Sequence, residues 1–343
     1  MRLTTSVFAL LCLAACGQAS AGAGRPSPSP RSPSVSGVAG PTPTSAISGL
    51  PVTDLSFSCR LPFIRSVDPG RWQGGFIDFP SRSFTADPSA PPNPGYYDRA
   101  VSRFLPVGRN AVSPDGRNYA YMTGGNPSLT PGPPRLHIVN AATGAETVIA
   151  LALSDQQPYG VEDYAADGIY VGSGWEGVTF GRWRVDPANG ITTDASNQAY
   201  FADDGTGHAW VTVLDKRDPH PAPNVMGGDP MPNEVVRRDL TTGAVEIWFY
   251  HPGFNVAQAG AFIGGGLLVW VEPPLGGNHE YWLVTAPGVS RLIVHLDGGG
   301  GSLADSHGLW MGSSSGLYLF SRNGGVARVT DLPGEPANGC LSA

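Results

Sequence analysis

From about residue 106 onward the chain repeats one pattern, and this repeat constrains the fold more than any other feature. Each copy begins with a polar turn, continues into a short apolar strand, and ends in a hairpin with Gly near its tip. Gly suits these tips because it tolerates the positive φ that tight hairpins require. The copies follow one another at the spacing of a four-stranded propeller blade. The polar turns that open the five copies lie at 113–116, 166–168, 203–205, 264–266 and 306–308.

A sixth, degenerate unit occupies residues 60–88, with strands at 75–79 and 83–85. No stretch shows a convincing helical period over ten residues, whereas apolar residues alternate or form runs of three to six, which is typical of strands. We therefore predict an all-β fold, a single β-propeller with six blades, or seven as the alternative. The closing blade is expected to combine material from both chain ends.

Composition agrees with a turn-rich β-protein rather than a disordered chain. Gly (47) and Pro (33) make up nearly a quarter of the 343 residues, but 8 Trp, 13 Phe and 11 Tyr supply a core that disordered chains lack. The formal net charge of −7 is spread out, and no Lys/Arg cluster is present. We therefore expect no nucleic-acid partner.

Two motifs connect the repeat to known propeller families. The motif Ser113-Pro114-Asp115-Gly116-Arg117, followed by Tyr119-Ala120-Tyr121, resembles the blade motif of TolB-type and WD-repeat-like propellers. The motif Asp305-Ser306-His307-Gly308-Leu309-Trp310 resembles the repeat of streptogramin-lyase-like propellers. The streptogramin lyases use a rim histidine as acid or base near a bound magnesium, so this resemblance implies His307 as a catalytic candidate. The more conservative interpretation of His307 is a turn residue bonded to the backbone.

The N-terminus carries an export signal. Arg2 is followed by an apolar run, Val7 to Ala15, that is too short to span a bilayer. The box Leu13-Ala14-Ala15-Cys16 resembles the bacterial lipobox, which implies cleavage before Cys16 and lipidation, including palmitate, of that residue. An ordinary secretory signal with an accidental Cys is the alternative. We predict a signal peptide at 1–15, a Pro/Ser/Ala-rich disordered tether at 16–54 and the propeller at 55–343, exported and anchored by lipid to the outer side of the cell membrane.

Four cysteines are present, and their positions predict different fates. Cys12 leaves with the signal peptide and Cys16 takes the lipid. Cys59 and Cys340 then remain at opposite ends of the folded part, and in an oxidising compartment two such cysteines should pair. The alternative is two free thiols.

Carboxylates beside the presumed inner strands suggest a cation site. Glu162, Asp163, Asp203 and Asp204 could line a central channel and hold Ca²⁺ or Mg²⁺, although such groups more often bond neighbouring blades or water. No cofactor is otherwise predicted.

A long insertion in the third copy suggests a binding loop. Residues 215–233 contain five prolines, and long loops in compact domains are often functional. A second loop, at 124–134, occupies the corresponding place of an earlier copy; tolerated insertions are the alternative. The candidate binding residues of the third-copy loop are Asp218, His220, Met226, Asp229 and Met231.

Two enzyme-like patterns are coincidental in this context. Residues 312–316 match a nucleophile elbow and residues 172–177 match a dinucleotide fingerprint, but neither is followed by the helix that its chemistry needs. We therefore expect a monomeric, non-catalytic binding or scaffold module for a protein, peptide, glycan or small ligand. A propeller lyase or hydrolase with a rim or channel site and a TolB-like role in envelope assembly are the alternatives.

Overall fold

A computed structural model describes residues 50–341, except 69, 126–131, 152–157, 159, 176–177, 196–201, 204–206, 224–229, 264, 275–276, 299 and 323. The described residues all belong to one compact unit, Thr44–Ala343. Among them, the regular structure is β-strand apart from a short 3-10 turn at Arg109–Ala111. No helix in this described part is both long and apolar enough to span a bilayer.

The first half of the chain contributes two meanders and a small ribbon between them. The strands are β1 Cys59–Asp68, β2 Arg71–Phe79, β3 Ser83–Ala86, β4 Tyr96–Asp98, β5 Arg103–Leu105, β6 Asn118–Thr123, β7 Arg135–Asn140 and β8 Glu146–Ala150. β1–β2–β3 and β6–β7–β8 are antiparallel in chain order, and β4–β5 pair only with each other. The degenerate unit predicted at 60–88 thus forms strands.

The second half contributes four further meanders and one closing strand. The strands are β9 Gly160–Ala165, β10 Gly168–Trp175, β11 Val178–Val185, β12 Thr192–Asp194, β13 Ala202–Asp203, β14 His208–Val213, β15 Glu234–Asp239, β16 Val245–Tyr250, β17 Asn255–Ile263, β18 Gly266–Glu272, β19 Asn278–Ala286, β20 Val289–Asp297, β21 Ser302–Ala304, β22 Gly308–Ser313, β23 Gly316–Ser321, β24 Val326–Thr330 and β25 Gly334–Pro336. β9–β12, β13–β16, β17–β20 and β21–β24 are each antiparallel neighbours in chain order.

The two chain ends share one sheet, as predicted. β25 pairs antiparallel with β1, in the register Phe63↔Pro336 and Arg65↔Gly334, and it also pairs with β22 at Ser313↔Gly334. The sheet therefore runs β24–β23–β22–β25–β1–β2–β3. The Cys59–Cys340 disulfide, with a Cα–Cα distance of 5.4 Å, lies beside this pairing and confirms the predicted bond. Hydrogen bonding and a covalent bond therefore close the ring together.

The hydrophobic core lies between successive sheets rather than at one centre. Trp210 and Phe249 of one meander pack with Val269 of the next, and Tyr281 of that meander packs with Tyr318 of the following one. This arrangement of consecutive meanders, each packed on its neighbour and joined end to end, is the predicted all-β propeller. The number of blades stays a prediction.

The opening turns have the local role expected from their sequence. In the first copy, Asp115 Oδ1 accepts from the backbone N–H of Arg117 at 3.0 Å and from Ser113 Oγ at 2.7 Å. Gly116 has φ +70°, a conformation that other residues resist. Residues 312–316 span the end of β22 and the start of β23, so they form a hairpin as expected.

Candidate functional site

Several structural units contribute to the wall of a central cavity. Its volume is about 1500 Å³, above the range of about 300–1000 Å³ common for small-ligand pockets. Its lining comes from β4, the turn at Arg109–Ala111, the first-copy Asp-Gly turn, β9, β18, β19, β21 and β25. The side chains that give it chemical character are Tyr96, Asp98, Arg99, Arg109, Asp115, Asp163, Trp270, Tyr281, Asp305, Glu335 and Asn338.

Three of the lining carboxylates come from widely separated strands. Asp98 is buried, and its Oδ1 accepts from the backbone N–H of Ala100 at 2.7 Å. Glu335 Oε2 accepts from the backbone N–H of Gly301 at 2.8 Å. Burial raises the pKa of Asp163, although the nearby Arg182 guanidinium opposes the rise. At Asp163, therefore, the desolvation of the negative charge is only partly offset within the chain.

Both arginines of the cavity already have partners within the chain. Arg99 Nη2 donates to the carbonyl oxygen of Cys340 at 2.9 Å. Arg109 Nη1 donates to the hydroxyl of Tyr96 at 3.2 Å. Five lining carboxylates against two arginines leave the wall with a formal excess of negative charge.

Aromatic side chains form an apolar part of the same wall. The rings of Trp270 and Tyr281 are nearly parallel, at 6°, with centroids 6.3 Å apart. Trp270 Nε1 donates to His279 Nδ1 at 2.8 Å, and burial lowers the pKa of His279, which favours the neutral imidazole that can accept this bond. Tyr281 donates its hydroxyl to the carbonyl of Gly300 at 3.3 Å, and burial raises its pKa. These bonds hold the two rings at the cavity.

Asp305 is a structural centre near the disulfide. Its Oδ2 accepts from the backbone N–H of Cys340 at 2.9 Å and from Trp310 Nε1 at 2.9 Å, and its Oδ1 accepts from the backbone N–H of His307 at 2.7 Å. Potential ligand atoms of Asp305, His307 and Cys340 lie within 4.8 Å of one another. The Cys340 sulfur is in the disulfide, however, so it supplies no thiolate, and this group is not a metal site.

The catalytic candidate His307 lies beside this centre rather than among the residues that line the cavity. Its ring stacks on Phe57 at 4.0 Å between centroids and 17° between planes. Its Nδ1 is 3.5 Å from Asp305 Oδ1. The contacts of His307 are those of a turn residue packed beside the ring closure; its catalytic role stays a prediction.

Of the four predicted cation ligands, the structure describes the side chains of Glu162 and Asp163. Glu162 Oε2 is 2.8 Å from Nε of the buried Arg182, whose guanidinium stacks over Tyr170 at 4.3 Å. Burial raises the pKa of Glu162, and Arg182 opposes the rise. Asp163 alone of the four is a described cavity-lining residue. Asp204 and the Asp203 side chain lie outside the described residues, so a Ca²⁺ or Mg²⁺ site remains a prediction.

The described part of the predicted binding loop is held by internal bonds. Asp218 is buried and accepts from the backbone N–H groups of His220 and Gly253 and from Asn233 Nδ2, at 2.9, 3.2 and 2.8 Å. These bonds lower the pKa of Asp218. Met231 is buried. Met226 and Asp229 lie outside the described residues, so the loop's binding role is untested.

Sequence reasoning missed most of the cavity and one further cluster. No sequence motif marks Asp98, Trp270 or Glu335, because each is a single residue in a strand without other candidate site residues beside it. The cluster joins two meanders: Glu280 Oε2 is 3.1 Å from His251 Nε2, and its Oε1 is 3.3 Å from His295 Nε2. The only local signal is that charged Glu280 directly precedes the apolar run at 281–284 of β19.

Comparison with known proteins gives no family and only distant structural similarities. No family model and no curated protein matches the chain. Among solved structures, TolB from Acinetobacter baumannii is 13% identical over 84% of this chain and 67% of that chain, with a TM-score of 0.41. A nidogen/laminin complex is 11% identical over 82% and 98%, with a TM-score of 0.43. An oligogalacturonate lyase in complex with manganese is 15% identical over 80% and 74%, with a TM-score of 0.39. At these values the similarities say nothing about the chemistry of this chain.

Proposed function

We propose that this protein is a lipid-anchored, extracytoplasmic binding module whose central cavity takes a positively charged ligand. The observation that carries the proposal is the cavity wall, in which carboxylates outnumber arginines and both arginines are already bonded to oxygens of the chain. The lipid-modification box at Cys16 supports the anchored location.

The electrostatics of the wall favour a cation. Carboxylates in a concave, low-dielectric site focus their potential, so they attract and orient positively charged groups. The indole of Trp270, which lines the cavity, adds cation–π attraction for an ammonium or guanidinium group. A volume of about 1500 Å³ accommodates a short segment of peptide bearing Lys or Arg.

Binding is tested with labelled hexapeptides that differ only in Lys and Arg content. In the presence of the full chain, we expect the anisotropy of labelled Lys- or Arg-bearing peptides to exceed that of labelled neutral peptides. This difference should shrink at high salt. Asp163→Asn and Trp270→Ala should each weaken binding about fivefold or more. Asp239→Asn is the control, since that carboxylate lies outside the cavity wall. Equal binding of neutral and cationic peptides would contradict the proposal.

The anchor is tested separately by palmitate labelling in the cells that make the protein. We expect the wild-type chain to carry the label and to remain in the membrane fraction. The Cys16→Ser variant should carry no label and should be released from the membrane. Equal membrane association of both forms without label would exclude the lipid anchor. The lyase or hydrolase alternative and the envelope-assembly alternative stay predictions.

A further inference from the structure

A threonine, a histidine and a glutamate form a hydrogen-bonded row across the meander β6–β8. Thr123 Oγ1 is 2.7 Å from His137 Nε2, and His137 Nδ1 is 2.9 Å from Glu146 Oε1. The three residues come from β6, β7 and β8 respectively. A hydroxyl bonded to a histidine that a carboxylate orients is the arrangement that activates a side-chain nucleophile.

The strand register explains why these side chains meet. Thr123 pairs with Arg135 and Tyr121 pairs with His137, with no bulge between the two pairs. Because alternate residues of a strand point to the same side of a sheet, these four side chains share one face. Glu146 reaches the same face from β8, since it is bonded to both His137 and Tyr121. The row is therefore fixed by the sheet rather than by a loop.

The protonation of the row follows from its hydrogen bonds. Bonds from Tyr121 and His137 lower the pKa of Glu146, so its carboxylate is ionised and can only accept. The bond to Glu146 raises the pKa of Tyr121 to about 12, so the phenol keeps its proton and donates it to Glu146 Oε1 at 2.7 Å. His137 Nδ1 must then carry a hydrogen, which leaves Nε2 of the neutral ring to accept the Thr123 hydroxyl proton. The Tyr121 ring also stacks on His137, with centroids 4.5 Å apart and planes at 8°, and so holds the imidazole in this orientation.

The same face offers a cation next to the hydroxyl. Arg135 lies directly opposite Thr123, and Cβ atoms of such cross-strand pairs are about 5 Å apart. Arg135 is exposed, and within the described part of the chain no carboxylate forms an ion pair with it. Thr123 is only partly buried, so a solute can approach it. The Arg135 guanidinium can therefore stabilise negative charge that develops on an oxygen beside Thr123.

We propose that this row is an esterase site, in which Thr123 is the nucleophile, His137 its general base and Glu146 a positioning residue. The substrate is a carboxylic ester whose carbonyl oxygen faces Arg135. None of these residues lines the central cavity, so the activity is independent of cation binding there. Because the site is on an open sheet face, the ester can be carried by a large molecule.

The reaction has two balanced halves. Thr123 Oγ1 bonds to the carbonyl carbon, its proton passes to His137 Nε2, and the carbonyl electron pair moves onto the oxygen that faces Arg135. When the C=O bond re-forms, the ester C–O bond breaks and His137 gives its proton to the departing alcohol oxygen. Water then attacks the acyl-threonine by the same route, with His137 taking a proton from water and returning it to Thr123. The net reaction converts an ester and water into a carboxylic acid and an alcohol.

The test follows hydrolysis of p-nitrophenyl acetate by the full chain in detergent micelles. We expect the wild type to exceed micelles alone, Thr123→Val to lower the rate about tenfold or more, and Thr123→Ser to retain it. Thr285→Val is the matched control and should leave the rate unchanged, because this strand threonine donates its hydroxyl to the carbonyl oxygen of Val289, at 3.5 Å. Other histidines and Lys216 react slowly with this ester, so only the rate that Thr123→Val removes is assigned to the site.

Two further measurements separate catalysis from a structural role. Mass spectrometry after acid quenching should find an acetyl group on Thr123 of the wild type. His137→Ala should be inactive and imidazole in solution should restore part of its rate, whereas Glu146→Gln should lower kcat about tenfold with little change in KM. Circular dichroism checks folding, and if His137→Ala does not fold, Thr123→Val and the acetyl group decide alone. Equal rates for wild type and Thr123→Val, a wild-type rate equal to that of micelles alone, or acetyl groups only on residues other than Thr123 would overturn the proposal.

Discussion

Removing the disulfide should cost the protein much of its stability without opening the ring. The bond joins Cys59 and Cys340, which are 281 residues apart. In the chain-entropy model, a loop of this length restricts the unfolded chain enough to raise the free energy of unfolding by about 5–6 kcal/mol. The native ring keeps its β25–β1 hydrogen bonds, so the double variant Cys59→Ala/Cys340→Ala should still fold.

The measurement is urea unfolding of the oxidised wild type and of the double variant. With a dependence on urea of about 3 kcal/mol per molar, the loss corresponds to a midpoint lower by about 2 M. Near-UV circular dichroism should remain native before unfolding begins. Wild-type protein kept in reductant is the control, and its midpoint should agree with that of the variant. Coincident midpoints for oxidised wild type and variant would refute this reasoning.

Two further predictions concern buried charges between and within blades. Burial opposes ionisation of Glu280, but hydrogen bonds from His251 and Trp282 outweigh it and hold the pKa of Glu280 below the ordinary 4.5. This stabilisation is therefore present above pH 4.5 and is lost as the pH falls through the lowered value, so melting temperatures of wild type and Glu280→Gln should differ at pH 7 and converge in acid. Arg182→Met leaves Glu162 without its cation and should cost about 2 kcal/mol, less than a fully buried pair because the Glu162 side chain is 34% exposed. Since protonation of Glu162 relieves the unpaired charge, the loss should grow as pH rises; a pH-independent loss in denaturant unfolding would contradict this account.

The meanders were predictable because their determinants are local. Alternating apolar residues define strands, and Gly residues at positive φ define the turns between them, as at Gly116. The Cys59–Cys340 pairing was also predictable, since only these two cysteines remain in the folded part. β25 was not predictable: Gly334-Glu335-Pro336 contains two residues that strands usually avoid. It is a strand only because β1 offers it a partner.

The candidate sites were much less predictable than the fold. Asp98 and Glu335 line one cavity although most of the folded chain separates them in sequence. Asp305 lies close to His307 and Cys340, as ligands of a metal site would. The disulfide of Cys340 and three hydrogen bonds to Asp305 give this carboxylate a structural role instead. In the sheet that contains β1 and β3, the guanidinium of Arg65 lies over the ring of Phe84 at 4.8 Å. Each case depends on contacts that no local pattern records.

The sequence by itself determined the strand units, their turns, the pairing of the two cysteines and the expectation of export. Period-two alternation, turn residues and the signal are all read within a few residues of one another, so they need no knowledge of the whole. The tertiary structure alone decided which carboxylates, arginines and aromatic rings line the central cavity. The physical reason is ring closure, because it brings strands from opposite ends of the chain next to each other and so determines which side chains line the cavity.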